Sequence, residues 1–286
     1  MTNTNEKNRT LGGTLYLVAT PIGNMADISE RAKKVLSEVD FIAAEDTRHT
    51  GLLLSALGIS RPMTSYYKDN MSESGPRIVA RLREGESCAL CTDAGMPAIS
   101  DPGEALVRLC AESGIPVTCV PGACAAVTAL ALSAADTRSF VFIGFLPTDG
   151  KQRTAALDEL RAERRTTVIY EAPHRLRRTL SDLREVCGPD RGLAVCRELT
   201  KLNEEVIRST VAEVAALYEN ETPRGEYVLV LHGAAASSAE EDWRGMSVAD
   251  HVAMYESGGM KRMDAIKAVA RDRGVAKGVI YNEINK

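Results

Sequence analysis

In the stretch Ser87–Glu112, SCALCTDAGMPAISDPGEALVRLCAE, an apolar run gives way to a loop rich in glycine and proline and then to an amphipathic repeat. The run Ser87–Asp93 is short and apolar and reads as a buried strand. Asp101-Pro102-Gly103-Glu104 then sets out a helix start: a capping carboxylate, a proline at the first helical position and a glutamate at the third. Gly114 is suited to stop that helix, because glycine enters the left-handed conformation without a Cβ penalty. Strand, loop and helix make one βα unit. The same alternation runs outward, with strands expected at Thr14–Thr20, Phe41–Glu45, Met63–Tyr67 and Pro116–Pro121 and helical patterns between them. Ser29 is placed to cap the helix over Glu30–Val39, and Gly58 and Gly85 to end others. Strands alternating with helices imply a mainly parallel sheet.

The second half repeats the mixture. Strands are expected near Phe140–Phe145, Thr166–Glu171, Gly192–Glu198 and Tyr227–His232, and helices near Lys151–Arg164, Leu176–Val186 and Val211–Glu219. The fold class is therefore α/β, with two α/β domains at residues 13–135 and 136–233. Residues 1–12 read as a disordered lead. The small, polar segment 234–246 reads as a linker. Residues 247–286 form a helical module with helices at Ser247–Glu256, Lys261–Arg273 and Val275–Asn285. Trp243–Lys286 carries eight Lys/Arg against five Asp/Glu. It fits either a helix-turn-helix module or a packing bundle.

The chain has 286 residues, 44% of them hydrophobic, enough to bury a core without disulfides. A net charge of −4, from 35 Lys/Arg and 39 Asp/Glu, excludes a protein that coats nucleic acid through bulk charge, though not one with local basic patches. No apolar run reaches the roughly 18–20 residues of a membrane span. The polar stretch Met1–Thr10 lacks the apolar core of a secretory signal, so a cytoplasmic location with reduced thiols is expected. Cys88 and Cys91 form a C-x-x-C, but residues three apart in a strand face opposite ways. They are not expected to share a metal or a disulfide, and no metal site is expected.

Ligands of open parallel sheets bind beyond the carboxyl ends of the strands. The segments there are Thr20–Ile28, Glu45–His49, Thr92–Gly103 and Pro121–Ala125, and each is polar or glycine-rich. Any one alone reads as turn chemistry; four on one rim read as a site. No G-x-G-x-x-G and no G-x-x-x-x-G-K-[ST] occurs, which disfavours nicotinamide cofactors and P-loop nucleotides. Gly95 allows close backbone approach, and Pro97 and Pro102 stiffen the loop. Such a loop suits a flat, adenosine-like ligand held by main-chain groups.

These loops resemble a known family. V-A-T-P-I-G-N-x-x-D-I-S, A-E-D-T-R-x-T, D-A-G-M-P-x-I-S-D-P-G, F-x-G-F-L-P, Y-E-A-P-H-R and C-R-E-L-T-K, in this order, are similar to the bacterial small-subunit (16S) rRNA cytidine 2′-O-methyltransferases of the tetrapyrrole-methylase superfamily. The resemblance spans Thr14–Lys286. It implies a homodimer with S-adenosylmethionine in a cleft between two α/β domains, and methylation of a ribose 2′-hydroxyl in decoding-centre rRNA. It carries the cofactor site onto Pro21, Asp93, Ala94, Gly95, Met96, Ile99, Cys124 and Ala125, with Tyr170 and Glu171 from the second domain. The chain departs from the family pattern at Cys124 and Met96, where serine and threonine are usual, and at Ala172, where serine is common.

Methyl transfer from a sulfonium is an in-line displacement that benefits from positioning and from a base for the acceptor hydroxyl. Asp46 and Glu45, at the end of the second strand, are candidate bases; an ion pair with Arg48 that holds the loop is the alternative. His174 is a rival base. Arg48, Arg175, Arg177, Arg178, Arg197 and Lys201 are candidate contacts to RNA phosphates, or a solvated face. Asn24 and Asp27 either orient the acceptor ribose or shape the first loop. Two other readings stand: another methyltransferase of the superfamily, and a non-catalytic RNA-binding protein using the C-terminal helices.

Overall fold

A computed structural model describes residues 9–235 and 245–284. Most of the lead-in, residues 1–8, and most of the linker, residues 236–244, lie outside the described residues. Strands β1 (Leu15–Val18), β2 (Phe41–Ala44), β3 (Met63–Ser65), β4 (Cys88–Cys91) and β5 (Val117–Val120) form a parallel sheet in the order β3-β2-β4-β1-β5. Helices α1 (Glu30–Glu38), α2 (Thr47–Ala56), α3 (Met71–Arg83) and α4 (Gly103–Glu112) provide the crossovers. The starts follow the local chemistry: Ser29 Oγ accepts from the Ala32 N–H at 3.1 Å. Asp101 Oδ1 accepts from the Gly103 N–H at 2.6 Å, one residue ahead of Pro102. Gly58, Gly85 and Gly114 all have positive φ and end α2, α3 and α4.

Both faces of this sheet are covered. Leu15, Phe41, Cys88 and Leu90 pack toward Ile78 and Leu106, while Tyr16, Ile42, Ala89 and Cys91 pack toward Leu36 and Leu54. Cys88 and Cys91 therefore sit in different cores, as the strand period requires.

Helix α5 (Ala125–Leu132) is apolar nearly all round; one face is buried by a second sheet, and Val127 is exposed on the other. Its Ala126, Ala129 and Leu130 pack on Val168, Ala194, Val228 and Val230. That sheet contains β6 (Phe140–Phe145), β7 (Thr166–Glu171), β8 (Gly192–Arg197), β9 (Glu205–Thr210) and β10 (Tyr227–Leu231), in the order β6-β7-β10-β8-β9. Only β6 and β7 run parallel; the other pairs are antiparallel. Helices α6 (Gly150–Ala162), α7 (Pro173–Cys187) and α8 (Val211–Asn220) cover its other face. Strand β9 was not expected. Its sequence EVIRST has charged residues at two of six positions, and pairing with β8 at the sheet edge decides its conformation.

The chain through Gly233 makes one compact unit and the chain from Ala234 another. The second contains α9 (Val248–Ser257), α10 (Arg262–Asp272) and α11 (Lys277–Ile284) around Val252, Ile266, Val269 and Ile280. No helix among the described residues is long and apolar enough to cross a membrane.

Candidate functional site

The parallel strands β1, β2, β4 and β5 all deliver their following loops to one rim. The first and fourth loops are tied together. Thr20 N–H donates to the Gly95 carbonyl at 3.0 Å, and Gly95 N–H returns a bond to the Thr20 carbonyl at 3.1 Å. Gly95 holds φ +82°, and a Cβ there would stand 3.1 Å from Ile22 Cγ2 and 3.4 Å from the Ala123 carbonyl oxygen. The same loop carries Ala98 and Ser100 at φ +66° and +62°. Left-handed non-glycine residues cost about 1–3 kcal/mol each and persist only where surroundings over-determine them. Here Asp101 braces the loop by accepting from the Ile99 and Gly103 N–H groups. Gly144, at a bulge in β6, admits Ser100: a Cβ at Gly144 would lie 2.6 Å from Ser100 Oγ.

Between this rim and the second sheet lies a cavity of about 390 Å³. That volume falls within the range of small-molecule sites, roughly 300–1,000 Å³. Ala94, Gly95, Met96 and Ile99 line it from the β4 loop, Cys124 and Ala125 from the start of α5, and Glu45 from the end of β2. Tyr170, Glu171, Ala172 and Pro173 enter from β7, and Phe145, Glu226, Tyr227 and Val228 from elsewhere in the second sheet. Tyr170 Oη accepts from the Ala126 N–H at 3.2 Å, satisfying a donor in the first turn of α5. Burial pushes the Tyr170 phenol up to about 12. Its ring packs edge-on against Phe142 and Phe145.

The charge of this lining has one sign. Its ionisable side chains other than tyrosine and cysteine are the carboxylates Glu45, Asp101, Glu171 and Glu226; no Lys, Arg or His among the described residues lines it. Two of the four are neutralised from behind. Glu171 lies 3.3 Å from Arg175 and accepts from Thr179 Oγ1 at 2.5 Å, and Glu226 lies 3.0 Å from Lys201 Nζ. Glu45 accepts from Thr92 Oγ1 at 2.8 Å, and no cation among the described residues pairs with Glu45 or Asp101. Burial pushes the Asp101 carboxyl above its ordinary value. A half-enclosed site with excess negative charge favours a cationic guest over phosphate.

The remaining residues singled out in the sequence lie elsewhere. Pro21 and Asp93 do not line this cavity; they line an adjoining groove with His49. Asp46 caps α2 and binds Arg48 through Nε at 3.1 Å and Nη2 at 2.7 Å. That guanidinium holds the Asp46 carboxyl far below the usual carboxylate range. Asp46 is thus held as a loop-fixing anion, the reverse of a base poised near neutrality. His174 is exposed at the first turn of α7, outside the cavity lining. Asn24 caps the short turn Met25–Asp27 by accepting from the Ala26 N–H.

The arginines divide. Arg175 is turned inward: its guanidinium lies on Glu171 and the carbonyls of Leu146 and Pro147, which leaves it 18% exposed. Arg197 donates to the Arg224 carbonyl, and Lys201 bridges Glu198 and Glu226. Lys201 also covers the first loop, since a Cβ at Gly23 would stand 2.4 Å from its Cγ. Arg48 and Arg178 remain exposed. The contributions of Phe145 and Glu226–Val228 were not anticipated; F-x-G-F-L-P was the only local signal for any of them.

The profile of the Tetrapyrrole (Corrin/Porphyrin) Methylases matches residues 14–215. The chain is 47% identical over 272 residues to the ribosomal RNA small subunit methyltransferase I of Halalkalibacterium halodurans, an alignment covering 94% of each chain. It is 43% identical over 273 residues to the Bacillus subtilis protein of the same name, covering 94% of this chain and 93% of that one. Among solved structures, a uroporphyrin-III-C-methyltransferase from Thermus thermophilus aligns with a TM-score of 0.55 and 24% identity, covering 76% of this chain and 94% of that one. The cobalt precorrin-4 methyltransferase CbiF aligns with a TM-score of 0.57 and 18% identity, with the same coverage. These two likenesses concern the fold.

Proposed function

This chain belongs to the tetrapyrrole methylase family, among the ribosomal RNA small subunit methyltransferase I proteins, and from that premise we propose that it methylates small-subunit ribosomal RNA with S-adenosylmethionine. The acceptor is the ribose 2′-hydroxyl of a cytidine in 16S rRNA. The enzyme works in the cytoplasm as a homodimer, and half-exposed Phe140 and Ile143 on the free edge strand β6 support a second copy packing there.

One observation carries the donor assignment: a cavity of small-molecule size lined by carboxylates and, among the described residues, by no basic side chain. S-adenosylmethionine fits this donor set, since its adenosine is flat and its sulfur bears a positive charge. Bound, it supplies a methyl group already activated for displacement. Ala94, Gly95, Met96 and Ile99 would hold it on one side, and Cys124, Ala125 and Tyr170 on the other. Glu45 and Asp101 would favour its positive charge. This attraction fades as the charge is lost, so it serves binding more than rate. Phe145 and Tyr170 keep the cavity apolar and exclude water.

Calorimetry tests the donor site. S-adenosylmethionine should bind, and ATP, which shares the adenosine but brings phosphates, should not; the opposite order would refute the assignment. Labelled methyl transfer to small ribosomal subunits from a strain lacking the enzyme tests the acceptor. Resistance to alkaline cleavage at a single cytidine is the expected result. Label in protein or a tetrapyrrole, with none in RNA, would overturn it.

A further inference from the structure

A ribose 2′-hydroxyl sits on the carbon next to the one that bears the 3′-phosphate. An enzyme that reaches this hydroxyl must therefore accommodate an anion beside it. The acidic lining of the donor cavity disfavours phosphate, so the phosphate must rest on the rim, against a cation that no carboxylate already holds. Most cations around the cavity are committed. The Arg48 guanidinium is clamped by Asp46, Arg175 lies on Glu171, and Lys201 bridges Glu198 and Glu226. Arg197 lies 3.6 Å from Glu205, and Arg177 donates to the carbonyls of Tyr218 and Glu221. His174 and Arg178 differ: both are exposed, and neither pairs with a carboxylate among the described residues. Arg178 donates through Nη1 to the Thr148 carbonyl at 3.0 Å, and its Nε and Nη2 have no partner among the described residues.

Both residues stand where the second sheet meets the cavity. Parallel strands β6 and β7 end at one rim, and Phe145, Tyr170 and Glu171 enter the cavity from there. Helix α7 starts from that rim: its first residue, Pro173, lines the cavity, and His174 follows. Arg178 lies one turn further on the same face, at the i, i+4 spacing that sets Cβ atoms about 5–6 Å apart. The bond to Thr148 ties its guanidinium to the segment that leaves Phe145. The anions beneath this face are neutralised from inside, Glu171 by Arg175 and Asp182 by Arg153, so neither draws on His174 or Arg178.

We propose, resting on the ribosomal RNA reading above, that Arg178 and His174 hold the 3′-phosphate of the acceptor nucleotide at the rim of the donor cavity. Arg178 supplies a planar fork that suits two phosphate oxygens. His174 supplies one N–H, which a neutral imidazole retains. Both are positioning residues. They place the ribose over the donor and carry no information about the base, because every nucleotide presents the same phosphate.

The test uses the full chain, S-adenosylmethionine, and small ribosomal subunits lacking the modification. Arg178→Ala should raise KM for subunits roughly tenfold while the calorimetric Kd for the donor stays within about twofold. The slope of log KM against log salt should fall by about 0.7–0.9, the signature of one lost phosphate contact. Arg178→Lys keeps the charge and should restore most of that slope. Loss of the Thr148 bond alone would instead shift the melting temperature or the donor Kd and leave the slope unchanged. His174→Ala should raise KM roughly threefold, and His174→Gln, which keeps an N–H donor, should not. Arg224, exposed two residues before Glu226, serves as the rival cation on another wall. An unchanged KM and salt slope in Arg178→Ala, or a larger change of both in Arg224→Ala, overturns the proposal. Failure of the wild-type protein to methylate subunits at all would instead refute the proposed function.

Discussion

Replacing Gly95 with alanine loads the donor site at one atom, and its cost can be worked from the structure. At φ +82° an alanine is held in the left-handed region, at about 1–2 kcal/mol. The new Cβ would stand 3.1 Å from Ile22 Cγ2, so that methyl must yield by a few tenths of an ångström. Overpacking of this kind adds on the order of 1 kcal/mol. Roughly 2–3 kcal/mol is therefore available to distort the loop. If the empty loop relaxes, binding must restore it, and the Kd for S-adenosylmethionine rises by roughly 10- to 100-fold. Gly58→Ala is the control: its φ is +69° with nothing within 4 Å of a Cβ, at the end of α2. It should lower the melting temperature by roughly 2–8 °C and leave donor affinity unchanged. Calorimetry and thermal melts on both variants decide the matter. A Gly95→Ala protein that binds the donor as tightly as Gly58→Ala would refute the reasoning.

Other outcomes follow from contacts already described. Arg175→Ala leaves the fully buried Glu171 without its cation and should cost about 3 kcal/mol, a fall in melting temperature of roughly 6–12 °C, with cofactor binding weakened as well; an unchanged melt would show that the pair is idle. Burial holds the Cys88 thiol high and pushes Cys91 to about 12, so thiol reagents should label neither until the chain unfolds, and rapid native labelling would contradict their burial. Arg165 holds the Glu163 carboxyl down from 4.5 to about 2. Its contribution to stability is therefore complete above about pH 4.5 and is lost as pH falls through about 2. The difference in melting temperature between wild type and Glu163→Gln should shrink across that window; a constant difference would exclude the linkage.

Much of the framework was legible because its causes are local. Ser29, Asp101 and the stop glycines announce helix ends through hydrogen bonds made within a few residues. Parallel strands must send their loops to one rim, so the four loops belonged together before any coordinate was known. Strand β9 was illegible because its pairing with β8 and its place at the sheet edge are not encoded in a six-residue alternation.

Site chemistry divided along the same line. From the order of its residues alone, the chain determined a parallel βα sheet, a glycine- and proline-stiffened loop after β4, and the absence of phosphate-cradling motifs, since backbone periodicity and steric freedom act over short distances. Tertiary structure alone decided that Asp93 faces a different space from its neighbours Thr92 and Ala94, that Arg175 turns inward to Glu171, and that the second sheet supplies Phe145 and Glu226. Those outcomes depend on which surfaces meet after folding, because burial and charge pairing are set by residues distant in the chain.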